Sequence, residues 1–455
     1  MTSRRMVYRL TLLAVVFLPR LTPAAEEPLL VGMAMVDITP PVERRAGPLK
    51  ARCVVFRQGT EQAAVVVCDV CTFTAERSGE ARRTASAKTG IPFANIVVVA
   101  THTHSGRWHE QVTEKIVQAI SEAQSAACPA MLAQGIAQQE GLAFNRRFLM
   151  KDGTVRFNPG RTTDGVSFDG GHPFLNPDIV RPVGPTDPAV GVVLVRGAGT
   201  SGPQGVLVNF AMHVCTVGSG ISGDYPYFLD EALRRDLGAG FHSIFLGGCS
   251  GDVNHFDVSK PGPQMGHEEQ ARPTGEKLAA TVKAIFPSLK DVVLPSLAMR
   301  SRTITVPLQV YSDSDLAWAR DAVANKFQDF GGAGYGQPGF LAGIRAHKIL
   351  MLEELHQRGP TISLEVQALR LDGETAIAFL PSEVFVELGL SLKKASPFPN
   401  TLVCELANDL CYYVPGQKSF IEGGYEVVNS WLAPGGGELL IDAALELLKE
   451  LKSSA

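Results

Sequence analysis

The sequence has no excess of positive charge, no second long hydrophobic run, no internal repeat and no complete set of cysteine pairs. Each of these gaps removes a class of protein. Forty-two Lys and Arg against 46 Asp and Glu leave a net charge of −4, so nothing points to a nucleic-acid partner or a charged tail. After Leu18 no stretch approaches the ~20 consecutive apolar residues that span a bilayer, and the mature chain is expected to be soluble. Cys68-Asp69-Val70-Cys71 has redox-motif spacing but follows a strand pattern without thioredoxin-like surroundings. The second such pair that a four-cysteine zinc site needs is missing. The eight cysteines therefore read as structural, with Cys53 and Cys68 inside apolar runs; their pairing stays open. Gly248-Cys249-Ser250-Gly251-Asp252 is not Gly-x-Ser-x-Gly, because its second glycine comes one position early, which removes a serine hydrolase.

At the N-terminus, Arg4, Arg5 and Arg9 precede or border an apolar run from Leu10 to Leu18, and Leu21-Thr22-Pro23-Ala24-Ala25 adds small residues. This layout predicts a secretory signal peptide over residues 1–25 and an exported protein, periplasmic or secreted. Residues 26–455 are long enough to bury a large core and are expected to form one large catalytic domain. Apolar strand patterns fall at Cys53–Phe56, Ala64–Cys68, Ile96–Ala100, Val192–Val195, Val206–Phe210, Ser243–Leu246 and Ala376–Leu380. Helical patterns fall at Glu110–Ala123, Phe228–Asp236, Thr274–Ile285, Asp313–Ala324, Gly343–His356, Glu383–Leu392 and Leu439–Lys452. The mixture predicts an α/β or α+β fold, with mixed β-sheets covered by helices. Arg146 to Asp187, rich in Gly, Pro, Asp and Asn, reads as functional loop. Gly331 to Gly339 reads as a surface turn rather than a lid.

The chemistry concentrates where strands end. Val97-Val98-Val99-Ala100 is a buried-strand pattern that runs into Thr101-His102-Thr103-His104-Ser105-Gly106. Alternate residues of an extended segment share a face, so His102 and His104 are expected to point into one cavity. Phe210-Ala211-Met212-His213 closes another apolar run with a single histidine, which alone would read as a core residue. In Leu380-Pro381-Ser382-Glu383 a strand is expected to give way to a helix, with Glu383 near the helix N-terminus. Asn145-Arg146-Arg147 ends a further strand, and Cys411-Tyr412-Tyr413-Val414 precedes Glu422-Gly423-Gly424-Tyr425-Glu426. Singly, each block reads as structural. Together, two histidines and a glutamate are a common protein ligand set for a catalytic zinc with one position open to water.

These blocks, with Gly251-Asp252-Val253-Asn254 between them, stand in the order seen in neutral/alkaline, non-lysosomal ceramidases, and the chain resembles that family's N-terminal catalytic domain over essentially its whole mature length. The resemblance implies a zinc ion held by His102, His213, Glu383 and Tyr413. The twelve-residue step from Tyr413 to Tyr425 matches the family's spacing and favours Tyr413 over Tyr412. It further implies proton transfer by His104, and hydrogen bonds from Arg146 and Tyr425 to the substrate or its developing oxyanion. The expected reaction is zinc-dependent hydrolysis of an amide, with metal-activated water attacking the carbonyl of a small-molecule or lipid N-acyl substrate.

The chain also departs from the family. It stops at Ala455 without the family's C-terminal immunoglobulin-like domain, Asn254 stands where the family has serine, and Arg107-Trp108-His109 replace glycines after the His-Thr-His-Ser-Gly motif. These departures lead to the expectation of a substrate smaller or more polar than long-chain ceramide. The other readings are a zinc hydrolase of another acylated molecule, such as an ester or an N-acyl amino acid or sugar, and a non-catalytic exported binding protein on the same fold. Contact with membrane lipid and the oligomeric state stay open.

Overall fold

The computed structural model describes residues 27–41, 47–106, 108–161, 167–168, 175–199, 202–217, 220–260, 268–330, 332–334 and 337–454. The expected leader over residues 1–25 and Arg107 lie outside the described residues. Among the described residues, no helix is long and apolar enough to cross a membrane.

The main sheet is built from β1 (Leu30–Asp37), β2 (Lys50–Gln58), β3 (Glu61–Cys68), β4 (Ile96–Ala100), β5 (Cys128–Gln138), β6 (Ala189–Gly197), β7 (Pro203–Phe210) and β8 (His242–Gly247). They run in the order β8-β7-β6-β5-β1-β2-β3-β4. The pairs β3/β4 and β7/β8 are parallel. Parallel strands are covered on both faces and read as continuous apolar runs. Accordingly, Val65, Val67, Val97 and Val99 face one core, while Ala64, Val66, Ile96 and Val98 face another.

A second sheet comprises β9 (Pro295–Pro307), β10 (Thr361–Asp372), β11 (Thr375–Phe379) and, beyond the two-residue β12 (Glu383–Val384), β13 (Asn400–Cys404). β12 pairs in parallel with β14 (Tyr413–Val414). Met299, Leu369, Ile377 and Leu402 of the second sheet pack on Val54, Val97, Val193 and Leu207 of the first.

Helices close the two outer faces. α1 (Ala75–Thr89) and α2 (Val112–Ser125) cover one half of the main sheet, and α3 (Asp224–Leu237) and α4 (Glu268–Ile285) cover the other. α5 (Asp313–Ala324) and α6 (Phe340–His356) form a hairpin inserted between β9 and β10. α7 (Val386–Ala395), the short α8 (Gln417–Glu422) and α9 (Tyr425–Val428), and finally α10 (Gly436–Ser453) complete the chain. α7 and α10 cover the second sheet. The result is one α-β-β-α sandwich, the mixed-sheet domain expected.

Two local expectations change, and one question left open by the sequence closes. The helix expected from Glu383 begins at Val386, because Glu383 and Val384 are held in a ladder with Tyr413 and Val414. The stretch after Arg146 is not structureless: Arg147–Met150, Val155–Phe157 and Ile179–Pro182 form a small sheet. All eight cysteines are free thiols.

The architecture collects strand ends. β4, β7, β8, β11 and β13 all deliver their C-terminal ends to one region, where open α/β sheets place ligands. The main sheet coils far enough for the turns after β4 and β7 to meet, and His104 N–H donates to Val214 O at 3.2 Å. The turn after β13 locks onto β4: Val98 N–H donates to Asn408 Oδ1 at 2.9 Å, and Ala100 N–H to Leu406 O at 3.2 Å.

Candidate metal centre and cavity

His102, His213 and Glu383 converge although they lie far apart in the chain. The two Nε2 atoms are 3.0 Å apart, and Glu383 Oε2 is 3.3 Å from each. All three side chains are buried. Each ring is oriented by a backbone carbonyl: His102 Nδ1–H donates to Cys71 O at 2.9 Å, and His213 Nδ1–H to Ser250 O at 3.0 Å. A carbonyl can only accept, so these bonds place a proton on each Nδ1 and turn each Nε2 toward the other and toward Glu383. Glu383 Oε2, buried close to both, makes no well-directed hydrogen bond. Three potential metal-donor atoms thus meet within 3.3 Å of one another.

Electrostatics state the same need for positive charge. Burial opposes a charge on His102, but the Glu383 carboxylate outweighs it and lifts His102 well above the usual histidine range. Burial, Arg146 and His102 hold His213 well below that range. Burial would raise Glu383, yet the histidines hold it well below the usual carboxylate range. A divalent cation satisfies all three groups at once. A tetrahedral zinc with bonds of about 2.1 Å spaces its donors roughly 3.4 Å apart, close to the spacings here, so the residues fit the metal.

The local backbone is bent to make this happen. The strand ends at Ala100, and His102 has φ 71°, so His102 and His104 do not share a face by strand alternation as expected. They meet through a turn, with His104 Nε2 3.4 Å from His102 Nε2. Ser382, just before Glu383, also has φ 71°. Left-handed conformations in non-glycine residues cost on the order of 1–3 kcal/mol and gather at functional sites. His104 differs from its neighbours: solvent reaches its ring through the cavity, although protein surrounds it on the other sides. Burial and the nearby His102 push its pKa down to about 3, which keeps the ring neutral, with one ring nitrogen unprotonated.

A cavity of about 430 Å³ opens onto this cluster, and His104, Arg146, His213, Tyr413 and Tyr425 all line it. Arg146 is 3 % exposed; its Nε donates to Glu426 Oε1 at 2.8 Å and its Nη2 to Gly251 O at 2.7 Å. The guanidinium lies over the rings of Phe157 (5.0 Å) and Tyr413 (5.4 Å). Tyr425 stacks on Phe340 with centroids 5.5 Å apart and packs on Phe157 at 4.7 Å. Tyr413 is brought beside Glu383 by the β12/β14 ladder. Tyr412 points elsewhere, its ring covered by Lys348 Nζ at 2.7 Å from the centroid.

Beside Asn158, Cys215 and Asn254, the remaining wall is apolar and is not legible in the sequence: Phe157, Val217, Phe256, Phe340 and Ile344. Phe340 and Ile344 come from the first turns of α6, so the glycine-rich passage expected as a surface turn leads directly into the cavity wall. Asn254 lines the cavity and donates through Nδ2 to Asn158 Oδ1 at 3.1 Å. Trp108 and His109 do not narrow the entrance as expected. Trp108 packs edge-on against Phe73 at 5.6 Å in the outer helical layer, and His109 Nε2 bonds Ile38 O at 2.7 Å. Trp108 and His109 therefore set no limit on the size of the substrate.

No family model matches the chain, and no curated protein matches it in sequence. Solved structures do match. A neutral ceramidase from Pseudomonas aeruginosa superposes with a TM-score of 0.68 at 17% identity, covering 94% of this chain and 75% of that one. A ceramidase complexed with C2 superposes with a TM-score of 0.69 at 16% identity, covering 94% and 76%. The chain has the neutral-ceramidase fold.

Proposed function

We propose that this protein is a zinc-dependent hydrolase that cleaves the amide bond of an N-acylated small molecule or lipid. The observation that carries the reading is the convergence of His102 Nε2, His213 Nε2 and Glu383 Oε2 within 3.3 Å of one another beside a cavity with a cationic wall. His102, His213 and Glu383 hold the zinc, and Tyr413 completes the set from the strand paired with Glu383. Zinc, when bound, supplies Lewis-acid polarisation and water activation at neutral pH.

The chain supplies the rest. His104, neutral and open to the cavity, takes the proton of the attacking water and returns it to the leaving amine. Arg146 and Tyr425 direct N–H and O–H groups at the carbonyl oxygen as it gains charge. Glu426 holds the guanidinium in place from behind. Phe157, Phe256, Phe340 and Ile344 exclude water and receive the acyl chain. A cavity of about 430 Å³ lies in the lower half of the roughly 300–1,000 Å³ range of ligand pockets, which favours a compact acylated substrate over both chains of a long ceramide. The leader-like N-terminus supports action outside the cytoplasm.

The test is elemental analysis of the purified protein together with kcat/KM on short-chain ceramide, N-acyl amino acids and long-chain ceramide in detergent, before and after chelation. One zinc per chain and chelator-sensitive hydrolysis, strongest on the short substrates, are expected. Protein that binds no zinc and cleaves none of these amides would overturn the reading.

A further inference from the structure

Glu405 follows directly on β13, is 1 % exposed, and belongs neither to the donor cluster nor to the cavity wall. Its carboxyl joins two separate segments. Oε1 accepts from Ser250 N–H at 3.1 Å and from Ser250 Oγ at 2.6 Å, and Oε2 accepts from Val384 N–H at 2.7 Å. Each segment carries part of the cluster: the Ser250 carbonyl orients the His213 ring, and Val384 is the neighbour of Glu383 in β12. The backbone continues the connection, with Gly251 N–H donated to Val384 O at 2.9 Å and Glu405 N–H to Gly247 O at 2.9 Å. At Gly251 a Cβ would come within 2.5 Å of Glu383 O, so the two segments touch with no space to spare.

We propose that Glu405 is a positioning residue of the metal centre: its carboxyl fixes both the Ser250 carbonyl that selects the His213 tautomer and the strand that aims Glu383. An apolar side chain here would leave Ser250 N–H and Val384 N–H buried without acceptors. A shorter polar one would reach only one segment. The proposal rests on the zinc reading for its consequence, since partners behind metal ligands typically change metal affinity by ~10–100-fold. The contacts themselves exist with or without metal.

Glu405→Ala, Glu405→Gln and Ser250→Ala in the full chain test it. Zinc affinity is measured by competition with a chromophoric chelator, and the His213 ring nitrogens by ¹⁵N NMR in the metal-free protein; thermal unfolding confirms a folded state. Glu405→Ala is expected to weaken zinc binding ~10–100-fold and to abolish the single Nδ1–H form of His213. Glu405→Gln keeps one acceptor oxygen and should fall between wild type and alanine. Ser250→Ala, which loses only the Oγ contact, should stay closest to wild type. A purely structural role would lower the unfolding temperature but leave zinc affinity and the His213 tautomer unchanged, and that result overturns the proposal. If Glu405→Ala fails to fold, Glu405→Gln decides on the same criteria. Wild-type protein without zinc would overturn the parent reading instead, and the His213 signature in the metal-free variants then judges Glu405 alone.

Discussion

His102 and His104 sit two residues apart, yet their surroundings divide their work. His102 is enclosed, pinned through Nδ1 and in contact with Glu383; His104 faces the cavity. His102→Ala should therefore lose both metal and activity. His104→Ala should keep its metal and lose activity by ~10²–10⁴-fold, the usual contribution of a positioned proton carrier. Elemental analysis beside a hydrolysis assay separates the two, and loss of metal from His104→Ala would show that the roles are misassigned.

Asp252 carries a different signal. It accepts from Asn145 Nδ2 at 2.7 Å and Val386 N–H at 2.9 Å, but burial still pushes its carboxyl up to about 6. In the unfolded chain an aspartate titrates near ~3.9. Between roughly pH 4 and pH 6 the folded protein therefore holds a proton that the unfolded chain has released, and stability falls as pH rises through that window. Above about pH 6 the loss is complete and constant. Asp252→Asn should flatten this slope relative to wild type, read from urea midpoints across that range. An unchanged slope would mean that Asp252 is ionised in the fold at acid pH.

Among the elements, α6 is the one whose identity as a helix was legible while its purpose was not. Its periodic pattern predicts a helix, but nothing in the pattern says that Phe340 meets Tyr425, eighty-five positions on. Phe340→Ala removes that stacking and widens the acyl side of the cavity. The acyl chain also loses an apolar surface to pack against, and even a methylene-sized change in an apolar pocket is worth ~1–3 kcal/mol, so KM should rise by at least roughly 5-fold with kcat little altered. Steady-state kinetics on one acyl series checks this, and a fall in kcat alone would place Phe340 in the chemistry instead.

α1 shows the opposite failure, an element the sequence hid. Its buried face is Ser78, Gly79, Ala81, Arg82 and Ala85, small or charged residues that give almost no apolar periodicity. Arg82 is buried because Glu365 receives it, at 2.5 and 3.0 Å. β4, by contrast, was read to the residue, since a β-branched run buried on both faces has few alternatives. The same contrast runs through the site. Histidines at strand ends are visible in one dimension. Glu405, Glu426, Phe157 and Asn158 matter through partners distant in the chain, such as Ser250, Arg146, Tyr425 and Asn254, and no local pattern marks them. The strand alternation assumed for His102 failed because a left-handed turn, which sequence rarely signals outside glycine, replaced it.

For the whole molecule, the donor cluster is a cross-link. His102 and His213 hang from the main sheet, whereas Glu383 and Tyr413 belong to the β12/β14 ladder beyond the second. A metal that binds the folded state alone stabilises it by about 2.7 kcal/mol when present at 100 times its dissociation constant. Chelation should accordingly lower Tm by several degrees and restore it when zinc is returned, measured by differential scanning calorimetry. His102→Ala should show the lower value from the outset and no response to zinc.

The coiling that lets the turn after β4 meet the turn after β7 also orders events in time. His102 and His213 lie 111 positions apart, and the glutamate that joins them is supplied later still. Contacts so distant along the chain form only after large loops have closed, which slows folding. The sheets can therefore be in place while the cluster is still open, and a ribosome-bound chain must extend beyond Tyr425 before the cavity has all its walls. During that interval the thiols of Cys71 and Cys215, which flank His102 and the cavity in the finished protein, are reachable. A chain with all eight cysteines free, if it matures in an oxidising compartment, has a window in which premature pairing competes with assembly, and the same seam that brings the donor cluster together closes that window.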